Sequence, residues 1–278
     1  MGESMVLKLS FSTLGCPRWD LHKIVRSAVE MGYEGIELRG LLEDLDITRR
    51  PEFTTELGKT KKLLADYGVS VSGISISARF GVVDPGEKRR QFDEARRNMI
   101  LAADLNASVV RIYGGRIPSG YTVETIMPII VQNLREIGDE AEYYGVTLAL
   151  ETHDDWIDTS LCTRLMKKVD HRRIRILWDL HHPYRMMGEK PEETYRNIAH
   201  YTVSIHVKDS VVEDGRIKYV LLGEGDVPIR EMLEMLVKGG YRGYAIVEWE
   251  KRWEPELLEP EMALPQYAQK MREWLSTM

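Results

Sequence analysis

Ile174-Arg175-Ile176-Leu177-Trp178-Asp179-Leu180-His181-His182-Pro183 is the stretch that decides how this chain is read. Its first half is a run of β-branched and large apolar residues, the composition of a strand buried on both faces. It then switches to an acid, two histidines and a proline. A buried parallel strand that stops at Asp-x-x-His delivers a carboxylate and an imidazole to one end of a sheet, the end where α/β proteins carry their chemistry. Three further stretches end alike: Leu148-Ala149-Leu150-Glu151, Val203-Ser204-Ile205-His206 and Ala245-Ile246-Val247-Glu248. Together the four endings nominate Glu151, Asp179, His206 and Glu248 as ligands of one metal ion.

Working outward, strands are expected at Val6–Thr13, Gly35–Leu38, Val69–Ile76, Ser108–Ile112, Val146–Leu150, Ile174–Trp178, Val203–Ile205 and Tyr244–Val247. Helices alternate with them. The first is capped by Asp20 and runs to Met31; the rest are expected over Thr54–Tyr67, Gly86–Leu105, Thr122–Tyr144, Ser160–Val169, Glu192–His200, Pro228–Val237 and Pro265–Leu275. Met31-Gly32, Tyr67-Gly68 and Tyr144-Gly145 punctuate three helix ends, where glycine suits a left-handed cap. Leu41–Phe53 reads as a polar loop without period. Eight strand–helix pairs without a linker predict a single (β/α)₈ TIM-barrel domain over residues 1–278. Between strands seven and eight, Glu213-Asp214-Gly215-Arg216 is a turn signal flanked by apolar-leaning runs, and it predicts a hairpin insertion at 211–222.

Composition bounds the function. A chain of 278 residues with 43% hydrophobic and 29% charged residues reads as an ordinary soluble globular protein. A formal charge of −6 argues against binding nucleic acid by neutralising phosphates. Two cysteines, Cys16 and Cys162, are too few for a disulfide framework. No apolar run approaches a membrane span, and Met1–Leu9 lacks the features of a signal peptide. The expectation is a cytoplasmic protein with no membrane or nucleic-acid partner, whose outer helices leave a homo-oligomer open.

Three carboxylates and one imidazole suit Mn²⁺, Mg²⁺ or Co²⁺, with Zn²⁺ also accommodated, while the lack of thiolates argues against a structural zinc. Any single acid at a strand end is more often a rim charge or a cap; four consecutive endings make the case. Glu250 rivals Glu248, since both stand on the same parity of Val247-Glu248-Trp249-Glu250, but the apolar run stops just before Glu248. His182, three residues past Asp179, reads either as a proton carrier or as a loop histidine set by Pro183, and His181 as a structural residue. Lys208 offers a cation to a substrate oxygen or makes a solvated salt bridge. Arg39, Arg111 and His153 lie at or past other strand ends and are candidates to hold a substrate hydroxyl or anion. Arg111, inside a strand pattern, needs a partner, either a protein acid or a substrate. Gly223-Glu224-Gly225-Asp226 is read as a tight turn with Asp226 capping the next helix, and Glu224 as the weaker alternative of a substrate contact.

Taken together, Leu150-Glu151-Thr152-His153, Trp178-Asp179-Leu180-His181-His182, His206-Val207-Lys208-Asp209, Gly223-Glu224-Gly225-Asp226-Val227-Pro228 and Val247-Glu248-Trp249-Glu250 resemble, in content and order, the xylose isomerase-like TIM-barrel superfamily, which includes sugar-phosphate isomerase/epimerase-like proteins. The resemblance spans nearly the whole chain and implies metal ligation by Glu151, Asp179, His206 and Glu248, with His182 completing Asp-x-x-His. In the epimerase branch it further implies that Glu151 and Glu248 move protons of a small polyhydroxylated carbonyl substrate through an enediolate. Glu151-Thr152-His153 resembles the turn of dehydroshikimate dehydratases, which implies the alternative of a metal-dependent dehydratase of that type or of the inosose dehydratase type. A non-catalytic metabolite-binding barrel is the third expectation. Endonuclease IV-like chemistry needs additional histidines at early strand ends, and Ser75-Ile76-Ser77-Ala78-Arg79 and Arg111-Ile112-Tyr113-Gly114-Gly115 supply none.

Overall fold

The computed structural model describes residues 7–278; the expectations that touch Met1–Val6, the start of the leading strand and the first part of the segment read for leader features, lie outside the described residues. Strands β1 (Lys8–Ser12), β2 (Gly35–Leu38), β3 (Ser70–Arg79), β4 (Val109–Tyr113), β5 (Thr147–Glu151), β6 (Ile174–Asp179) and β7 (Thr202–Val207) are followed by a hairpin, β8 (Asp209–Glu213) and β9 (Arg216–Val220), and by β10 (Tyr244–Val247). The hairpin stands apart. The other eight form a closed parallel barrel in the order β1-β10-β7-β6-β5-β4-β3-β2. This is the (β/α)₈ architecture that the strand endings predict.

Nine α-helices lie among the described residues: α1 (Leu21–Met31), α2 (Leu57–Tyr67), α3 (Pro85–Asp104), α4 (Val123–Tyr144), α5 (Thr159–Val169), α6 (His182–Met187), α7 (Pro191–Ile198), α8 (Ile229–Lys238) and α9 (Pro260–Leu275). Their ends obey local chemistry. Asp20 accepts from the Lys23 amide at the head of α1, and Asp84 from the Glu87 amide at the head of α3, each at 2.7 Å. Gly32, Gly68 and Gly145 take φ of 76°, 65° and 71°, the left-handed caps that the Met-Gly and Tyr-Gly pairs announce. No described helix is long and apolar enough to cross a membrane.

Four readings of the chain need correction. The polar stretch after Leu41 holds two short 3₁₀ turns, Ile47–Arg49 and Pro51–Phe53, because Ile47 and Phe53 are buried and anchor it. Helix α9 starts at Pro260, five residues before the expected Pro265. Burial of Ala263 and Leu264, and the Tyr33 hydroxyl donating to the Leu264 carbonyl at 2.7 Å, offset the amide that Pro265 lacks. His182 opens the short helix α6, with Pro183 in its first turn, and is no loop residue. Asp226 does not cap α8, whose N-cap, Pro228, makes no side-chain bond.

The chain's contacts divide it into two compact halves, one comprising the residues up to Ser72 with Ile205–Met278, the other Gly73–Ser204. In the first half the hairpin is tied down by Asp209. Its carboxylate accepts from the amides of Ser210 at 2.8 Å, Gly223 at 2.9 Å and Gly225 at 3.1 Å, and this is what holds the Gly223–Asp226 turn. In the second half Trp156 is wholly buried and its indole N–H donates to the Gly115 carbonyl at 2.9 Å. A Cβ on Gly114 would stand 2.2 Å from the Trp156 ring. Gly114→Ala is therefore expected to destabilise the protein by about 1–3 kcal/mol through overpacking, lowering Tm by roughly 2–4 °C per kcal/mol, as thermal denaturation would read.

Candidate functional site

In the half that contains β4, β5 and β6, the register pairs Arg111 with Ala149 and Ile112 with Leu150. Side chains alternate between faces with a period of two, so Arg111 and Glu151 share a face and the long arginine reaches forward to the acid. Arg111 Nε stands 3.2 Å from Glu151 Oε2, and both side chains are 1% exposed. The other face of the guanidinium stacks 4.0 Å above the Tyr113 ring. Of its two expected partners, Arg111 has the protein acid.

Asp179, the last residue of β6, is buried and turns one oxygen, Oδ1, to the amides of His181 at 2.8 Å and His182 at 3.1 Å. Its Oδ2 lies 3.5 Å from His182 Nδ1, which in turn lies 3.8 Å from Glu151 Oε1. That same Nδ1 meets the Thr152 carbonyl at 3.0 Å. A carbonyl only accepts, so Nδ1 carries a proton, and in the neutral imidazole Nε2 keeps the electron pair. Thr152 ties the two strand ends together, its hydroxyl accepting from the Asp179 amide at 3.0 Å. Asp179, His181 and His182 each offer a donor atom within 4.8 Å of the others.

His153 is partly exposed and packs at a tilt against Tyr113, 4.7 Å between ring centroids, and edge-on against His182 at 5.0 Å. Burial lowers its pKa, but the Asp154 carboxylate at 3.3 Å and the charge of Glu151 outweigh burial and hold it above the ordinary value. Asp154 is depressed in turn, first by its bond to His153.

In the other half, β10 pairs with β7 so that Ile246 faces His206 and Val247 faces Val207. The Glu248 amide continues the ladder by donating to the Val207 carbonyl at 3.0 Å. Glu248 and His206 share a parity, and His206 Nδ1 lies 3.2 Å from Glu248 Oε1. Lys208 bridges two acids, its Nζ 2.5 Å from Glu248 Oε2 and 2.8 Å from Glu250 Oε1. With Lys208 at 1% exposure, this is a buried bridge and not a solvated one. It also separates the rival glutamates, since Glu248 meets both His206 and Lys208 whereas Glu250 meets Lys208. Arg39 is buried behind β2, and Glu224 is exposed in the turn that Asp209 holds.

Sequence reasoning passed over Glu37, whose Oε1 lies 3.0 Å from His206 Nε2. A carboxylate inside the fully buried strand Gly35-Ile36-Glu37-Leu38 was the available signal, since such an acid needs a partner.

Residues 25–278 match the family described as xylose isomerase-like TIM barrel. The chain belongs to that family. A fructoselysine 3-epimerase of Escherichia coli O157:H7 is 24% identical over 254 residues, covering 87% of this chain and 90% of the relative. An inosose dehydratase of Geobacillus thermodenitrificans is 23% identical over 246 residues, covering 77% and 78%. Among solved structures, the IOLI protein with a bound zinc atom aligns with a TM-score of 0.82 at 19% identity, over 98% of this chain and 99% of the other. The relatives are thus an epimerase and a dehydratase, and the structural likeness establishes the shared barrel.

Removing the ammonium of Lys208 leaves two buried carboxylates without that cation. Lys208→Met is expected to lower stability by about 3–5 kcal/mol in denaturant titrations with a chelator present, and Glu250→Gln in the same background should recover part of the loss.

Proposed function

We propose that this protein is a divalent-metal-dependent isomerase or epimerase of a small sugar or sugar-like polyhydroxy carbonyl compound, acting through an enediolate, with Glu151, Asp179, His206 and Glu248 as the ligands of a single ion. The observation that carries the reading is the burial of this donor set, three carboxylates and one imidazole between 0% and 5% exposed, at or next to the ends of β5, β6, β7 and β10. The set fits its ion: hard oxygen donors with one imidazole and no thiolate suit Mn²⁺, Mg²⁺ or Co²⁺ and accommodate Zn²⁺. When bound, such an ion would polarise adjacent carbonyl and hydroxyl oxygens and acidify the C–H between them.

The chain's own groups then move the protons. Glu151 and Glu248 are the acid/base pair: one, ionised, takes the proton from carbon while the other, entering protonated, delivers its own proton to the opposite face, which inverts that centre. Return of the captured proton to the neighbouring carbon, with the hydroxyl proton passing between the two oxygens, isomerises the sugar instead. Arg111 lies beside Glu151 and Lys208 beside Glu248, so each carboxylate has a cation within 3.2 Å. The same cations weaken them as bases, so positioning supplies much of the rate. His182 presents Nε2 as an acceptor for a substrate hydroxyl, its ring held by the Thr152 carbonyl. His153, Arg39 and Arg111 remain proposed substrate-side groups, with Glu224 at the outer rim.

A second reading rests on His153. Partly exposed and 3.3 Å from the Asp154 carboxylate, it is placed to donate a proton to a departing hydroxyl, and this favours a dehydratase acting on a cyclic polyol or shikimate-type acid; one relative is named an inosose dehydratase. Both readings start with loss of a C–H proton.

Incubation with Mn²⁺ in D₂O, using ketoses, fructoselysine and inosose in turn, tests them together. Solvent deuterium is expected at the carbon next to the carbonyl by NMR, with an ultraviolet-absorbing conjugated product if water is eliminated. Glu151→Gln and Glu248→Gln should each slow exchange by about 10²–10⁴-fold, and chelation should abolish it. A wild-type protein that binds Mn²⁺ in calorimetry but exchanges no hydrogen with any of these would overturn the catalytic proposal in favour of a metabolite-binding barrel.

A further inference from the structure

The imidazole of His206 lies between two acids of its own half of the chain. Glu37 Oε1 is 3.0 Å from Nε2, and Glu248 Oε1 is 3.2 Å from Nδ1. All three side chains are buried, His206 completely. Glu37 reaches this position because β2 pairs with β1 in a register that sets Glu37 beside Ser12 at the strand ends. A buried carboxylate is costly unless it is matched, and an ionised one can only accept a hydrogen bond.

The orientation of the ring follows. If Glu37 accepts from Nε2, the proton sits on Nε2 and the in-plane electron pair of Nδ1 points towards the Glu248 oxygen. Two electron-rich atoms 3.2 Å apart need a positive centre shared between them, a proton when no ion is bound and the metal when one is. We propose that Glu37 is a positioning residue. It fixes both the tautomer and the rotation of His206, so that Nδ1, the nitrogen on the Glu248 side, is the ligating atom. The inference rests on the reading of His206 and Glu248 as metal ligands. It adds a residue to that reading, since a carboxylate behind a ligating imidazole sets ring orientation and raises ligand basicity.

The test uses the full chain with Glu37 changed to Gln, Asp and Ala, each compared with wild type by Mn²⁺ affinity (paramagnetic resonance of free Mn²⁺) and by long-range ¹⁵N–¹H NMR of the His206 ring in Zn²⁺-loaded protein. In wild type the spectra should show a proton on Nε2 and the metal shift on Nδ1. Glu37→Ala should weaken Mn²⁺ binding by about 10–100-fold and erase the Nε2–H signature. Glu37→Asp, which withdraws the carboxylate by one methylene, should lose affinity in the same direction and carries the test if the alanine variant does not fold. Glu37→Gln, whose amide oxygen still accepts, should restore the tautomer and bring the affinity to within about threefold of wild type, a rescue that a packing role alone would not produce. Wild type that binds Mn²⁺ while the Ala and Asp variants bind it equally well, or a metal shift on Nε2, would overturn this inference and leave the metal site standing. Wild type that binds neither ion would overturn the metal reading itself, and this inference with it.

Discussion

Buried charge is the constraint from which the rest of this structure follows. Three strand ends that carry acids into the interior also bring them a polar partner. Glu151 has Arg111, Glu248 and Glu250 share Lys208, and Glu37 meets His206. An ionised carboxylate taken out of water without such a match would cost more than a domain of this size has to spare. The pairings depend on register. Arg111 stands opposite Ala149, and His206 opposite Ile246, so the acids two residues further along fall on the same face as their partners. A slip of one residue in either ladder would send the partners to opposite faces. The hydrogen-bond register of the strands and the chemistry of their ends are therefore one specification.

That coupling explains what could be read from the chain. The apolar runs, their spacing and the glycine-capped helices are local signals, and the eight barrel strands are found where those signals place them, with ends shifted by a few residues. The hairpin was legible too, one turn and two short runs, now at Asp209–Val220. Features set by distant packing were not. The head of α9 lies at Pro260, with Ala263 and Leu264 buried behind it, and not at Pro265. The turn at Gly223 is held by Asp209, fourteen positions earlier, so no window around that turn reveals its anchor.

At the site, the residue types were legible and their pairings were not. Lys208, Glu248 and Glu250 all drew notice, yet only the fold shows that the lysine bridges both acids and that Glu248 also faces the histidine. Arg111 was left between a protein acid and a substrate, and the β4–β5 register gives it the acid. Glu37 was missed because a charge within a four-residue apolar strand resembles an interruption of the pattern, and Arg39 just beyond it offered the more familiar outward-reaching group. A buried acid in such a strand is better treated as a demand for a partner.

The cations beside the glutamates bear on what chemistry these residues support. A carboxylate beside a guanidinium or an ammonium is a poor base in free solution terms. Such a group removes a carbon-bound proton at a useful rate only when that proton has been made acidic, as it is beside a carbonyl that is strongly polarised. The same requirement holds whether the proton is returned to carbon or a hydroxyl then departs, so the glutamates alone do not choose between epimerisation and elimination. The choice passes to a group able to protonate a leaving oxygen. His182, which donates from Nδ1 to the Thr152 carbonyl and keeps an electron pair on Nε2, is an acceptor in that state. His153 is partly exposed, and Asp154 and Glu151 raise its pKa against the effect of burial, which makes it the candidate donor of the two. In the proposed reactions the outcome then turns on whether the substrate places a hydroxyl against His153 or against His182.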